Sequence, residues 1–305
     1  MLKITNLSKR YGTSTVKSVD NLSIELKPGE VFGFLGPNGA GKSTTIKSIV
    51  GILPFEEGKI EICGVNLVKN PLKAKHNIGY VPDNHAVFER LTGREYVNHI
   101  ANLYDVPVKQ MEEVSDYYVK LFRLEHAFDN PIKSYSHGMK QKISVIAALV
   151  HKPKLWILDE PLTGLDPQSA YQLKAAMRKH ADEGNTVFFS SHILDVVENL
   201  CDRACIIKKG QLQGLYDLHE MKEKNESLEE IFMKTISDDS NFVPLNTKAK
   251  KPVEETEEKA EAKTETEEKV EKEVKETKST KQTKETGKEK LKKLSKKLDE
   301  KKSSK

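Results

Sequence analysis

Cysteine is scarce in this sequence, tryptophan occurs once, and aromatic residues make up only 7% of it. Cys63, Cys201 and Cys205 form no C-x-x-C pair, which argues against a disulfide framework or a zinc site. They sit among apolar neighbours and read as small core residues in a reducing cytosol. Long apolar runs are also missing. Ile143–Val150 is among the longest, far short of the roughly 20 residues that cross a bilayer. Met1–Leu7 alternates as a strand does and carries no signal-peptide core, so the expected location is the cytoplasm, with any membrane role coming through a partner. A strong charge of one sign is absent too. The net charge is +4, and residues 1–243 carry 30 basic against 31 acidic side chains. A body this close to neutral gives no general basic surface, and no nucleic-acid partner is expected.

What excess charge there is lies at the end. Residues 244–305 hold 20 lysines and 15 acids with no arginine and no aromatic residue. Such a low-complexity tail cannot bury a core, and disorder or a fraying single helix is the expected state. Acids outnumber lysines 11 to 6 over 251–276, and lysines outnumber acids 12 to 4 over 277–305. Leu291, Leu294 and Leu298 fall on one helical face among those lysines, a pattern suited to weak docking on an anionic lipid surface. The expected division is therefore a body, 1–243, and this tail.

Within the body one stretch stands out: Gly36-Pro37-Asn38-Gly39-Ala40-Gly41-Lys42-Ser43, followed by Thr44. The apolar run Val31–Leu35 precedes it and a helical pattern follows, giving strand, glycine loop, helix and the spacing G-x-x-x-x-G-K-[ST]. Glycines let backbone N–H groups turn inward around phosphates, and the helix N-terminus adds positive potential. Lys42 can reach the β/γ-phosphates and Ser43 can meet Mg²⁺. A chance glycine-rich turn would not need both flanks.

Alternating apolar positions predict strands around Leu2–Leu7, Leu22–Leu26 and Lys59–Gly64, and buried strands at Asn77–Pro82, Leu155–Leu158 and Thr186–Phe189. Ala204–Ile207 reads as the last strand of the body. A helical insert spans about 89–135, opened by the capping box Thr92-Gly93-Arg94-Glu95 and continuing with Tyr96, Val97, Ile100, Leu103 and Tyr104 at helical spacing. A second helix carries Met111, Val114, Tyr118, Leu121 and Phe122. Ser136 opens another helix, Asp166-Pro167 starts one with proline at its first position, and Ser227–Glu230 caps the last.

An apolar strand ending in Asp159-Glu160 supplies what a phosphate loop needs beside it. Asp159 is placed to hold Mg²⁺, and Glu160 to polarise an attacking water as general base. Tyr11, an exposed aromatic among polar residues, could serve as a platform for a nucleotide base.

In order and context these segments resemble the ATP-binding subunit of ABC transporters, over about Leu2–Ile236. Tyr135-Ser136-His137-Gly138-Met139 resembles the family signature, Leu155–Glu160 the Walker B strand with its catalytic glutamate, and Pro161–Asp166 the D-loop. His192 resembles the switch histidine, and Tyr11 takes the place of the adenine-stacking aromatic. The resemblance implies an α/β fold of the phosphate-loop NTPase kind. Its mixed central sheet would carry an antiparallel β subdomain and a helical signature subdomain, about 89–150. It also implies ATP and Mg²⁺ as ligands, and an integral-membrane permease on another chain as partner. A second ATP-binding subunit, identical or related, would supply Ser136, His137, Gly138 and Asp166 to the ATP held by this one. Asp83 stands where the family usually has glutamine and is a further candidate for approach to Mg²⁺. His137 stands where glycine is common. The acid at position 83 and Ser227–Phe232 point to the ABC-2 exporter subgroup. A soluble regulatory ATPase acting on ribosomes or nucleic acid is the alternative. Such relatives usually carry two ATPase halves or a long coiled-coil insertion, and this chain has neither.

Overall fold

The computed structural model describes residues 1–84 and 87–237. Met1–Pro244 forms one unit; the second, Leu245–Lys305, and with it the lysine-rich face of Leu291, Leu294 and Leu298, lies outside the described residues.

Two antiparallel strands, β1 (Leu2–Arg10) and β2 (Lys17–Leu26), open the chain, with Leu2 opposite Leu26 and Ile4 opposite Ile24. β4 (Glu57–Ile62) pairs with the other edge of β1, and β5 (Val65–Asn66) with β4, giving a sheet in the order β2-β1-β4-β5. The central sheet takes β3 (Val31–Leu35), β6 (Ile78–Val81), β7 (Leu155–Leu158), β8 (Thr186–Ser191), β9 (Arg203–Lys208) and β10 (Gln211–Asp217). Its order is β10-β9-β3-β8-β7-β6, parallel except for the antiparallel β9–β10 edge.

Every residue of β3 is buried, because both faces of this sheet are covered. Val31 and Leu35 point with Trp156, Leu158, Val187 and Phe189 into a core shared with the helices. Phe32 and Phe34 point with Ile157 and Phe188 into a second core, against the antiparallel sheet. That second core also receives α1 (Lys42–Ile49) through Ile46 and Ile49, while α2 (Pro71–Lys75) contributes Ala74.

The helical side holds α3 (Gly93–Leu103), α4 (Val108–Leu121), α5 (His137–Leu149), α6 (Pro167–Asp182), α7 (Leu194–Leu200), α8 (Leu218–Glu223) and α9 (Leu228–Ile236). The Thr92 capping box forms in full, with Glu95 N–H donating to Thr92 Oγ1 at 3.1 Å and Thr92 N–H to Glu95 Oε2 at 2.9 Å. Asp166 caps α6 by accepting from Ser169 N–H, and Ser227 caps α9 by accepting from Glu230 N–H.

Three expectations need correction. Ala204–Ile207 is not the final strand: Lys209 and Gly210, both at positive φ, turn the chain into β10. The half-exposed alternation of β10 is a weak signal at a sheet edge. Cys63 is exposed at a turn with φ +50, so only Cys201 and Cys205 are core residues. Leu103, at the last position of α3, is exposed, although its spacing put it on the apolar face. No described helix is long and apolar enough to cross a membrane.

Candidate active site

The loop between β3 and α1 is held by backbone geometry that only glycine supplies at two points. Gly41, at φ +106, caps α1, and a Cβ there would sit 2.3 Å from the Ser18 carbonyl oxygen. A Cβ on Gly36 would meet the Ile207 carbonyl oxygen at 2.6 Å. The loop is pinned from the sheet side, where Gly210 N–H donates to Ala40 O at 2.9 Å. α1 begins with no acidic residue in its first turn, which leaves its positive end free for an anion.

Lys42 is almost wholly buried in that loop. Its Nζ donates to Gly36 O at 2.7 Å and stands 3.4 Å from Glu160 Oε1. The other Glu160 oxygen, Oε2, lies 2.9 Å from His192 Nδ1. A carboxylate can only accept, so Nδ1 carries the proton. Glu160 itself has φ +49, a left-handed conformation that an L side chain rarely takes and that clusters at functional sites. Tyr11 and Thr44 share a hydrogen bond at 3.2 Å, which sets the tyrosine beside the start of α1.

Asp159 follows β7 and is fully buried. Burial pushes its carboxyl above the usual range, the hydroxyls of Ser190 and Ser43 pull against that, and the charges of Asp83 and Glu160 add to the rise. Its Oδ1 accepts from Ser190 Oγ at 2.6 Å, whereas Oδ2 is buried without a hydrogen bond. A buried carboxylate short of positive charge, with one oxygen unpartnered and a serine hydroxyl nearby, fits a hard divalent cation such as Mg²⁺. Mg²⁺ keeps waters and shares its shell with phosphate oxygens, so it does not need three protein carboxylates or imidazoles. No cluster of that kind occurs among the described residues. Asp83 lies exposed on the turn after β6, near enough for its charge to reach Asp159 and Tyr80.

The remaining predicted residues gather elsewhere. Ser136 caps α5, its Oγ accepting from Met139 N–H at 3.3 Å. The His137 ring lies against Gly164, where an added Cβ would stand 3.1 Å from Cδ2 and Nε2. Gly138 faces Leu165, and Asp166 is turned onto the start of α6. Among the described residues, Ser136, Gly138 and Asp166 make no hydrogen bond to Gly36–Ser43. The two groups are joined by the segment after β7: Gln141 Nε2 donates to Pro161 O at 3.1 Å, and Thr163 N–H donates to Glu160 O at 3.3 Å. Gln141 and Ser190 carry site contacts that sequence reasoning gave no role. The signal for Ser190 was its place beside Ser191 and His192 at a strand end.

A glycine loop between a parallel strand and a helix, with a lysine, a buried acid and a glutamate–histidine pair closing on it, defines a phosphate-loop nucleotide hydrolase. The ABC transporter family profile matches residues 19–163. The linearmycin resistance ATP-binding protein LnrL of Bacillus subtilis (strain 168) is 39% identical over 212 residues, covering 70% of this chain and 68% of that protein. The bacitracin transport ATP-binding protein BcrA of Bacillus licheniformis is 37% identical over 226 residues, covering 74% and 72%. A solved ATP-binding subunit of an ABC transporter superposes with a TM-score of 0.73 at 29% identity, covering 78% of this chain and all of that one. The chain belongs to the ABC transporter family, as one of its ATP-binding, ATP-hydrolysing proteins.

Proposed function

We propose that this protein hydrolyses ATP at the Lys42–Asp159–Glu160–His192 site to drive export through a membrane permease carried on a separate chain. The carrying observation is the Glu160 carboxylate, 3.4 Å from Lys42 on one oxygen and 2.9 Å from His192 on the other. The backbone of Gly36, Pro37, Asn38, Gly39, Ala40 and Gly41, with Ser43 and Thr44, cradles the phosphates; Lys42 binds the β/γ oxygens; and Tyr11 offers its ring to the base. Ser43 and Asp159, with Asp83 in reach, would hold Mg²⁺, which supplies charge neutralisation on the phosphates. Glu160 takes a proton from the attacking water, and His192 holds the carboxylate in place.

One copy has the loop in one place and Ser136, His137, Gly138 and Asp166 in another. A second ATP-binding subunit, arranged head to tail, brings the missing half to each ATP. The N-terminus of α5, with Ser136 at its cap, is suited to meet a terminal phosphate. ATP then stabilises the pair and hydrolysis loosens it, a two-state cycle that a permease can follow at the cytoplasmic face of the membrane.

Export is supported by the relatives, one concerned with resistance to linearmycin and one with bacitracin transport. Purification in mild detergent from cells tests the assignment: a co-purifying multi-span membrane protein is expected, and recovery with ribosomes alone would overturn it.

A further inference from the structure

We infer that Ser190 is a positioning residue for hydrolysis, one hydroxyl that sets the geometry of both Asp159 and Glu160. This rests on the roles proposed above for those two acids. β8 runs between β3, which feeds the phosphate loop, and β7, which ends at the acids. Ser190 pairs with Phe34 of β3 on one side, and its neighbour Phe189 pairs with Leu158 of β7 on the other. The side chain is fully buried. It therefore stands in the one strand that separates the two halves of the site.

Its hydrogen bonding has only one consistent arrangement. A serine hydroxyl has a single proton and two lone pairs. Glu160 N–H can only donate, and it points to Ser190 Oγ at 2.9 Å. Ser190 then donates its own hydrogen bond to Asp159 Oδ1 at 2.6 Å. Two consequences follow. Oδ1 is occupied within the protein, and Oδ2, buried and unpartnered, is the oxygen left for a cation. The amide of Glu160, a residue at φ +49, finds its acceptor in the Ser190 side chain, so the same hydroxyl supports the backbone turn that aims Glu160 at Lys42 and His192. Removing the hydroxyl leaves an amide and a carboxylate oxygen unpaired in the interior.

A core serine that is merely satisfied would matter for folding alone, so the test must separate orientation from stability. Ser190→Ala, Ser190→Cys and Ser190→Thr are made in the full-length chain. For each, kcat, KM, thermal unfolding and ATP affinity are measured, the last with Mg²⁺ and with EDTA. Alanine and cysteine should lower kcat about 10–100-fold, the usual effect of losing a partner that orients an active group. ATP affinity in EDTA should stay within about twofold, and the gain in affinity on adding Mg²⁺ should shrink. Threonine keeps the hydroxyl and should restore kcat to within about threefold. If alanine does not fold, the near-isosteric cysteine variant decides. Full kcat in the alanine or cysteine variant, or a folded threonine variant as slow as alanine, overturns the proposal. Glu160→Gln, run in parallel, separates the two levels: normal turnover there would refute the roles of the acids, whereas a dead Glu160→Gln beside a fully active Ser190→Ala would refute Ser190 alone.

Discussion

Lys42 and Glu160 meet across the site, Nζ to Oε1 at 3.4 Å, with side chains only 7% and 21% exposed. Little water screens such a pair. The contact joins the start of α1 to the residue after Asp159, and His192 completes it from the end of β8. On the function proposed above, an arriving γ-phosphate competes with Glu160 for the lysine. A carboxylate released in that way is free to take a proton from water.

Glu160→Gln keeps the shape of the side chain and removes its basicity. Phosphate release should fall about 10²–10⁴-fold with ATP still bound, since general-base catalysis is worth that much. Retained ATP should also hold two copies together, visible as a larger species by size-exclusion chromatography with Mg-ATP.

Lys42→Ala removes the charge that faces the phosphates. A hydrogen bond to a charged group contributes roughly 1.5–3 kcal/mol, so ATP should bind about 10–100-fold more weakly. Titration of a fluorescent ATP analogue measures it; unchanged affinity would contradict the loop assignment.

Gly41→Ala and Gly39→Ala separate collision from strain. Both glycines have positive φ, +106 and +79, but only at Gly41 would the new Cβ strike backbone, 2.3 Å from Ser18 O. Strain alone costs about 1–3 kcal/mol. The Gly41 variant should melt at a clearly lower temperature than the Gly39 variant and should lose ATP binding.

His180 gives the body a dependence on acid. Burial pulls its pKa from the ordinary 6.5 down to about 4, and its Nε2 has no hydrogen-bond partner. Between those values the unfolded chain binds a proton that the folded one does not, so stability rises with pH there and is lost as pH falls from 6.5 to 4. The loss approaches ~3 kcal/mol by the low end, at about 1.4 kcal/mol per unit. His151, lowered to about 4 by burial as well, adds to the same window. His180→Phe should flatten the pH dependence of urea denaturation over that range; an unchanged slope would remove His180 as a cause.

The local chemistry of this protein was legible in order along the chain. Gly36–Ser43, the Thr92 box, the caps at Ser136, Asp166 and Ser227, and the apolar run into Asp159 each encode their conformation within a few residues. Neighbouring side chains and backbone groups suffice to choose a turn, a cap or a buried strand. That is why the loop and both acids stand out in the sequence as candidate site residues.

What only the tertiary structure decided depends on which distant segments become neighbours. β8 lies between β3 and β7, although it follows both in sequence, and that order puts Ser190 against Asp159 and Glu160. The same order brings Lys42 to Glu160 and leaves Ser136, Gly138 and Asp166 in a separate group. The exposure of Cys63 and Leu103 and the edge strand β10 were likewise set by what the fold covers and what it leaves at its margin. Periodicity reports which residues can be buried; the packing of remote elements determines which of them are.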